Sequence, residues 1–309
     1  MGNVKKAYSL ANYILQENKK HGNQLLSVDA LIIISNASTR LGRYNDSNKA
    51  INKAETILGA IKNESVQLIE AKKASLLYRR SNILSHQGNY TEALKLAKQA
   101  LIIRETLGNK EDIDSSLNLL GIIYFKKEDL DQALTYYNKR LKIFEELRDK
   151  EGSNMVFGNM GIIYIFKEDF NQALEILQKG QKGFLEIGHK EWSAIGFITI
   201  GVVYLMKFEF EQSLENFQKG LTLYEEMDNR EGIAFSLGFI GMSYANKGEL
   251  NQALEHLQKG LSILDELGIS GTFHLALFEH FIGEIYHAKG EYDIALSHYK
   301  TALVICEKN

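Results

Sequence analysis

The 309-residue chain contains no proline. Average usage is about 5%, so a chain this long would ordinarily carry roughly 15. The absence excludes Pro-rich linkers, PxxP ligands and collagen-like segments. It favours long uninterrupted helices, because proline mostly punctuates turns and helix ends. Cysteine is nearly missing too. Cys306 alone supports neither a disulfide framework nor a multi-cysteine metal site, and a reducing cytoplasm is the expected compartment. No apolar run of about 18 residues occurs, which excludes a membrane-spanning helix. Residues 1–6 (Met-Gly-Asn-Val-Lys-Lys) open a polar-interrupted helix rather than an apolar signal core. Lys6 stands where a myristoylation signal wants Ser or Thr. Neither sign of charge dominates: the net charge of -3 gives no footprint for nucleic acid or an anionic membrane.

What the chain does have is an internal repeat. Gly121-Ile122-Ile123-Tyr124 recurs as Gly161-Ile162-Ile163-Tyr164, Gly201-Val202-Val203-Tyr204, Gly241-Met242-Ser243-Tyr244 and Gly283-Glu284-Ile285-Tyr286. Successive glycines lie 40, 40, 40 and 42 residues apart. After each comes an aromatic or leucine and then a small residue: Leu130/Ala133, Phe170/Ala173, Phe210/Ser213, Leu250/Ala253, Tyr292/Ala295. Two upstream units are eroded, with Ser81 and Ser35 in the glycine's place. The first twenty residues read as a lone second helix.

Each unit reads as two helices. In residues 151–167, Phe157, Met160, Gly161 and Tyr164 form a stripe at three- and four-residue steps. After a polar break, Ala173, Leu174, Leu177 and Phe184 continue the helical spacing. A glycine inside a helix costs roughly 0.5–1 kcal/mol against alanine, so these glycines are expected where backbones cross closely. Gly180, Gly220 and Gly260, late in the second helices, are expected to mark further close crossings.

These motifs resemble the tetratricopeptide repeat, as in Gly88-Asn89-Tyr90-Thr91-Glu92-Ala93. The usual period is about 34. The forty-residue form, with connectors such as Leu147-Arg148-Asp149-Lys150-Glu151-Gly152, is similar to LGN/Pins-type adaptors, kinesin light chains and Rap-type regulators. Gly158-Asn159-Met160-Gly161 is close to the LGN-type signature. The resemblance implies an all-α, right-handed α-solenoid of about seven helix-turn-helix units plus an N-terminal half-repeat, in one domain. The expected units are 1–20 (the half-repeat), 24–62, 66–108, 111–149, 151–188, 190–228, 231–268 and 272–309. The family's second-helix prolines are missing, and Gly108, Gly188, Asn229 and Gly268 are expected to stop those helices instead.

The resemblance also implies an inner face, lined by first helices, that binds partners. The candidate lining begins with Asn36, Arg40, Asn82 and His86, then Asn118, Ile122 and Phe125. It continues with Ile162, Ile165 and Phe166, flanked by Met155. Next come Ile198, Val202, Leu205 and Met206, with Ile195 beside them. Phe235 and Met242 follow, and His280, Glu284 and His287 close the series. A groove polar at both ends and apolar in the middle suits an apolar or amphipathic segment of a protein partner. Arg40 and Lys126 lack the paired spacing of a carboxylate clamp.

No reaction centre is expected. His280 and His287 are seven residues apart, about 10.5 Å of helical rise, which no single metal ion spans. Cys306 is expected to pack in the last helix. No G-x-x-x-x-G-K-[ST] loop exists, and Gly268 and Gly271 lie in a connector without strands, so no nucleotide or other cofactor is implied. The expected function is a non-enzymatic interaction scaffold. The alternative is a sensor module whose superhelix responds to a peptide or small ligand.

Overall fold

A computed structural model describes residues 2–269 and 273–307. Gly271 and the ends of the first and last expected units (1, 272, 308 and 309) lie outside the described residues. The described residues form fifteen α-helices and no strand. Contacts divide the chain into two compact units, Met1–Leu147 and Arg148–Asn309.

The first unit opens with the unpaired helix α1 (Gly2–His21). Three pairs follow: α2 (Gln24–Arg40) with α3 (Tyr44–Ala60), α4 (Val66–His86) with α5 (Tyr90–Leu107), and α6 (Lys110–Lys126) with α7 (Leu130–Leu147). The second unit holds four pairs: α8 (Lys150–Phe166) and α9 (Phe170–Glu186), α10 (Lys190–Met206) and α11 (Phe210–Glu226), α12 (Arg230–Lys247) and α13 (Leu250–Glu266), α14 (Phe273–Ala288) and α15 (Tyr292–Glu307). Within each unit every helix packs on the helices just before and after it in sequence. That nearest-neighbour packing of helix pairs defines an all-α solenoid.

The repeated glycine works by steric default. A Cβ on Gly121 would stand 2.9 Å from Tyr137, on Gly201 2.6 Å from Phe217, on Gly241 2.7 Å from Leu257 and on Gly283 2.6 Å from Tyr299. On Gly161 it would collide with Leu177. In every case the large side chain sits sixteen residues later, on the second helix of the pair, and fills the space beside the glycine. In the eroded repeats the serines are buried and reach the second helix by hydrogen bonds. Ser81 Oγ donates to the Ala93 carbonyl at 2.7 Å, and Ser35 and Ser47 share a 2.7 Å hydroxyl contact. Gly180, Gly220 and Gly260 also mark close approaches, to the carbonyls of Asn154 (3.1 Å), Ala194 (3.4 Å) and Ala234 (2.8 Å).

Helix ends follow the same period. The side chains of Asn109, Asp149, His189 and Asn229 accept hydrogen bonds from backbone N–H groups three residues on, capping α6, α8, α10 and α12. Gly108, Gly188 and Gly268 end second helices in the left-handed region, at φ 77°, 71° and 66°. Asn229 does not share that role. Asp228 takes the left-handed conformation (φ 50°), and Asn229, at φ -86°, starts the next helix. Exposed ion pairs repeat as well: Lys110–Glu146, Lys190–Glu226 and Arg230–Glu266 each join the start of a first helix to the end of its second. Such exposed pairs add little stability, but they mark a constant register. Cys306 is exposed on α15 rather than packed, because α15 turns Ala295, Ala302 and Ile305 inward.

Candidate functional site

In the first unit, the polar side chains expected to meet a partner are partly engaged inside the protein. Asn36 accepts from Arg79 Nη1 at 2.8 Å, and Asn118 accepts from Arg140 Nη1 at 2.8 Å. Asn82, Ile122 and Phe125 are half-buried. His86 is exposed and stacks on Tyr44 with ring centroids 5.9 Å apart. Desolvation, and then the charge of Lys126, hold its pKa below the usual histidine value. Arg40 is exposed at the end of α2 and borders a small cavity with Ile33 and Asn36.

The apolar middle falls in the second unit, and its parts behave differently. On α8, Ile162 and Phe166 are exposed, at 40% and 64%, while Ile165 is half-buried against the core around Leu174, Leu177 and Val203. Met155 and Ile195 are exposed as well. On α10, Met206 is 43% exposed. Ile198, Val202 and Leu205 are half-buried against the cluster around Phe217, Leu221 and Phe239. Met242 is a correction: at 6% exposed it belongs to that cluster, so it lines no open face. Phe235 is half-buried beside His274 and Phe278, with centroids 4.9 and 6.4 Å away. This aromatic cage desolvates His274 and lowers its pKa. His280, Glu284 and His287 are exposed on α14. His280 Nε2 lies 3.6 Å from Glu284, and His287 meets the edge of Tyr292 at 5.3 Å. Among the described residues, no group of three His, Cys, Asp or Glu side chains gathers to hold a metal ion, and no helix is long and apolar enough to cross a membrane.

Beneath the exposed side chains of α8 and α10 lies a cavity of about 120 Å³ that the sequence reading did not anticipate. Its walls come from α8 (Asn154, Met155, Gly158, Asn159, Ile162), α9 (Leu177, Gly180, Gln181, Phe184) and α10 (Trp192, Ile195, Gly196, Thr199). Three of these residues are glycines, and a Cβ on Gly158 would meet nothing within 4 Å. Phe184 and Trp192 stack across one wall at 5.8 Å. The available signal in sequence was a single tryptophan next to unusually dense glycine on three consecutive helices.

Tetratricopeptide-repeat models match residues 72–146 and 279–309. Solved structures of the same architecture extend the likeness along the chain. RapI in its apo form is 16% identical with a TM-score of 0.68, covering 91% of this chain and 98% of its own. Aspartyl phosphate phosphatase F from Bacillus subtilis is 14% identical, with a TM-score of 0.70 over 94% of this chain and 73% of its own. The Rap conjugation gene regulator of plasmid pLS20, in complex with the Phr* peptide, is 15% identical, with a TM-score of 0.59 over 94% of this chain and 76% of its own. The chain is therefore an all-α solenoid of helix pairs. Two stretches of it match tetratricopeptide-repeat models, and its fold is the one seen in solved Rap and kinesin light chain structures.

Among curated relatives, the photosystem I assembly protein Ycf3 from one strain of Prochlorococcus marinus is 32% identical over 100 residues, 32% of this chain and 56% of its own length. The Ycf3 of a second strain, MIT 9301, is 29% identical over 92 residues, 29% of this chain and 51% of its own length. The chain thus spans about half the length of the curated relatives it matches.

Proposed function

We propose that the chain is a non-enzymatic interaction scaffold, cytoplasmic as its lone cysteine suits, that holds an apolar or amphipathic segment of a protein partner on α8 and α10. One observation carries the reading. Met155, Ile162, Phe166, Ile195 and Met206, all large and apolar, are exposed on these two first helices. An apolar patch on a water-facing surface is stabilised when a partner covers it, and methionine adapts to varied shapes. The patch contains no nucleophile and no acid–base group, which is why a scaffold is preferred to an enzyme although one protein of this fold is described as a phosphatase. A protein of the same fold is described bound to a peptide, which agrees with a peptide-sized ligand. Half-buried Ile198, Val202 and Leu205 would support the patch from below, and the polar side chains of α14 would meet a flanking part of the partner.

An array of amphipathic and scrambled twelve-residue peptides tests the reading. Phe166→Glu combined with Met206→Glu should weaken the amphipathic peptides at least tenfold with an unchanged melting temperature. Equal capture by both proteins, or equal capture of amphipathic and scrambled peptides, overturns it.

A further inference from the structure

We propose that the cavity between α8, α9 and α10 is a binding site for a small, neutral, ring-sized molecule carrying a carbonyl oxygen. Size sets the first limit. An apolar cavity of about 150 Å³ engineered in another protein takes up benzene, and this one measures about 120 Å³. Shape sets the second: the stacked Phe184 and Trp192 rings give a flat aromatic wall, and Gly158 of α8 lines the cavity without a side chain. A glycine there costs helix stability, and no neighbour crowds the position to require it. What the glycine leaves is open volume.

The polar chemistry narrows the ligand further. Asn154 and Gln181 line the cavity, are 6% and 9% exposed, and have amide nitrogens (Nδ2 and Nε2) without a hydrogen-bond partner. Five buried side-chain atoms among the described residues lack a partner, and three of them, those of Asn154, Gln181 and Ser193, fall on these three helices. Unpaired buried donors destabilise a fold, so native proteins seldom keep them. An acceptor brought by a ligand would satisfy donors that the protein leaves open. No charged side chain lines the cavity, so a carboxylate would lose its hydration without gaining a counter-charge. A neutral carbonyl matches both facts. Exposed Met155, Ile162 and Ile195 form the apolar entrance.

Trp192 is the only tryptophan in the chain, so biosynthetic 5-fluorotryptophan places one ¹⁹F label in the cavity wall of the full-length protein. Acetophenone should shift that resonance saturably, ethylbenzene should bind at least fivefold more weakly, and benzoate should leave the signal unmoved. Gly158→Leu, which fills the void from an uncrowded position, should abolish the acetophenone shift while keeping the melting temperature. Gln181→Met, nearly isosteric, should bring acetophenone and ethylbenzene to similar affinity and gives a second reading if Gly158→Leu folds poorly. The proposal is overturned by the absence of a saturable shift, by a shift that survives Gly158→Leu, by ethylbenzene or benzoate binding as tightly as acetophenone, or by an undiminished acetophenone preference in Gln181→Met. The Phe166→Glu, Met206→Glu protein should keep the response, so this site and the peptide surface stand or fall separately.

Discussion

Arg140 occupies in the third helix pair the position held by Gly180, Gly220 and Gly260 in the next three. It is 7% exposed, and its guanidinium forms a fork on Asp114, with Nε 2.6 Å from Oδ1 and Nη2 3.1 Å from Oδ2, while Nη1 reaches Asn118. Where the later repeats close the crossing by deleting a side chain, this one fills it with an ion pair. Removing one partner of a buried pair leaves the other charge uncompensated. Arg140→Ala should therefore cost about 3 kcal/mol, read by urea denaturation, with Asp114→Asn, Arg140→Met recovering part of the loss. The sequence hid this role. A charged residue at one of several equivalent positions looks like ordinary surface, and only the partners on the facing helix distinguish it. The same holds for Asn154 and Gln181, whose burial depends on glycines of neighbouring helices, and for Cys306, whose exposure depends on which face α15 turns inward.

At the scale of elements, the period made most of the fold readable. A fixed interval between glycines, caps and large side chains locates each helix and predicts which pairs cross closely. Two glycines on α8 separate steric need from open space. Gly161→Ala would drive a methyl group into Leu177, and overpacking of this kind costs about 1–3 kcal/mol. Gly158→Ala, three residues earlier, meets nothing and should stabilise by roughly 0.5–1 kcal/mol through helix propensity. Chemical denaturation of the two variants should move the midpoint in opposite directions. Less legible was the division of each first helix between its own partner helix and the next repeat. Met242 and Phe235 carry the same spacing as exposed residues of α8 and α10, yet α14 brings Phe278 and His274 against α12 and encloses them. Asn229 was misread for a related reason: a residue at a helix boundary can end one helix or cap the next, and here its side chain accepts from Gly232 N–H.

For the molecule as a whole, the missing proline and the nearest-neighbour packing meet in a matter of time rather than energy. Slow refolding phases, of tens of seconds, usually report the isomerisation of X–Pro bonds, and this chain has none to isomerise. Contacts between helices adjacent in sequence close only short loops, a topology that folds quickly, and a repeat array can nucleate at more than one point. Stopped-flow refolding from denaturant should accordingly be complete without a phase in the roughly 10–100 s range typical of proline isomerisation. Neither a long hold in the unfolded state nor an added prolyl isomerase should change the trace. A chain assembled this way has no conformational clock to wait for: having been pulled open, it is ready again as soon as its helices find their neighbours.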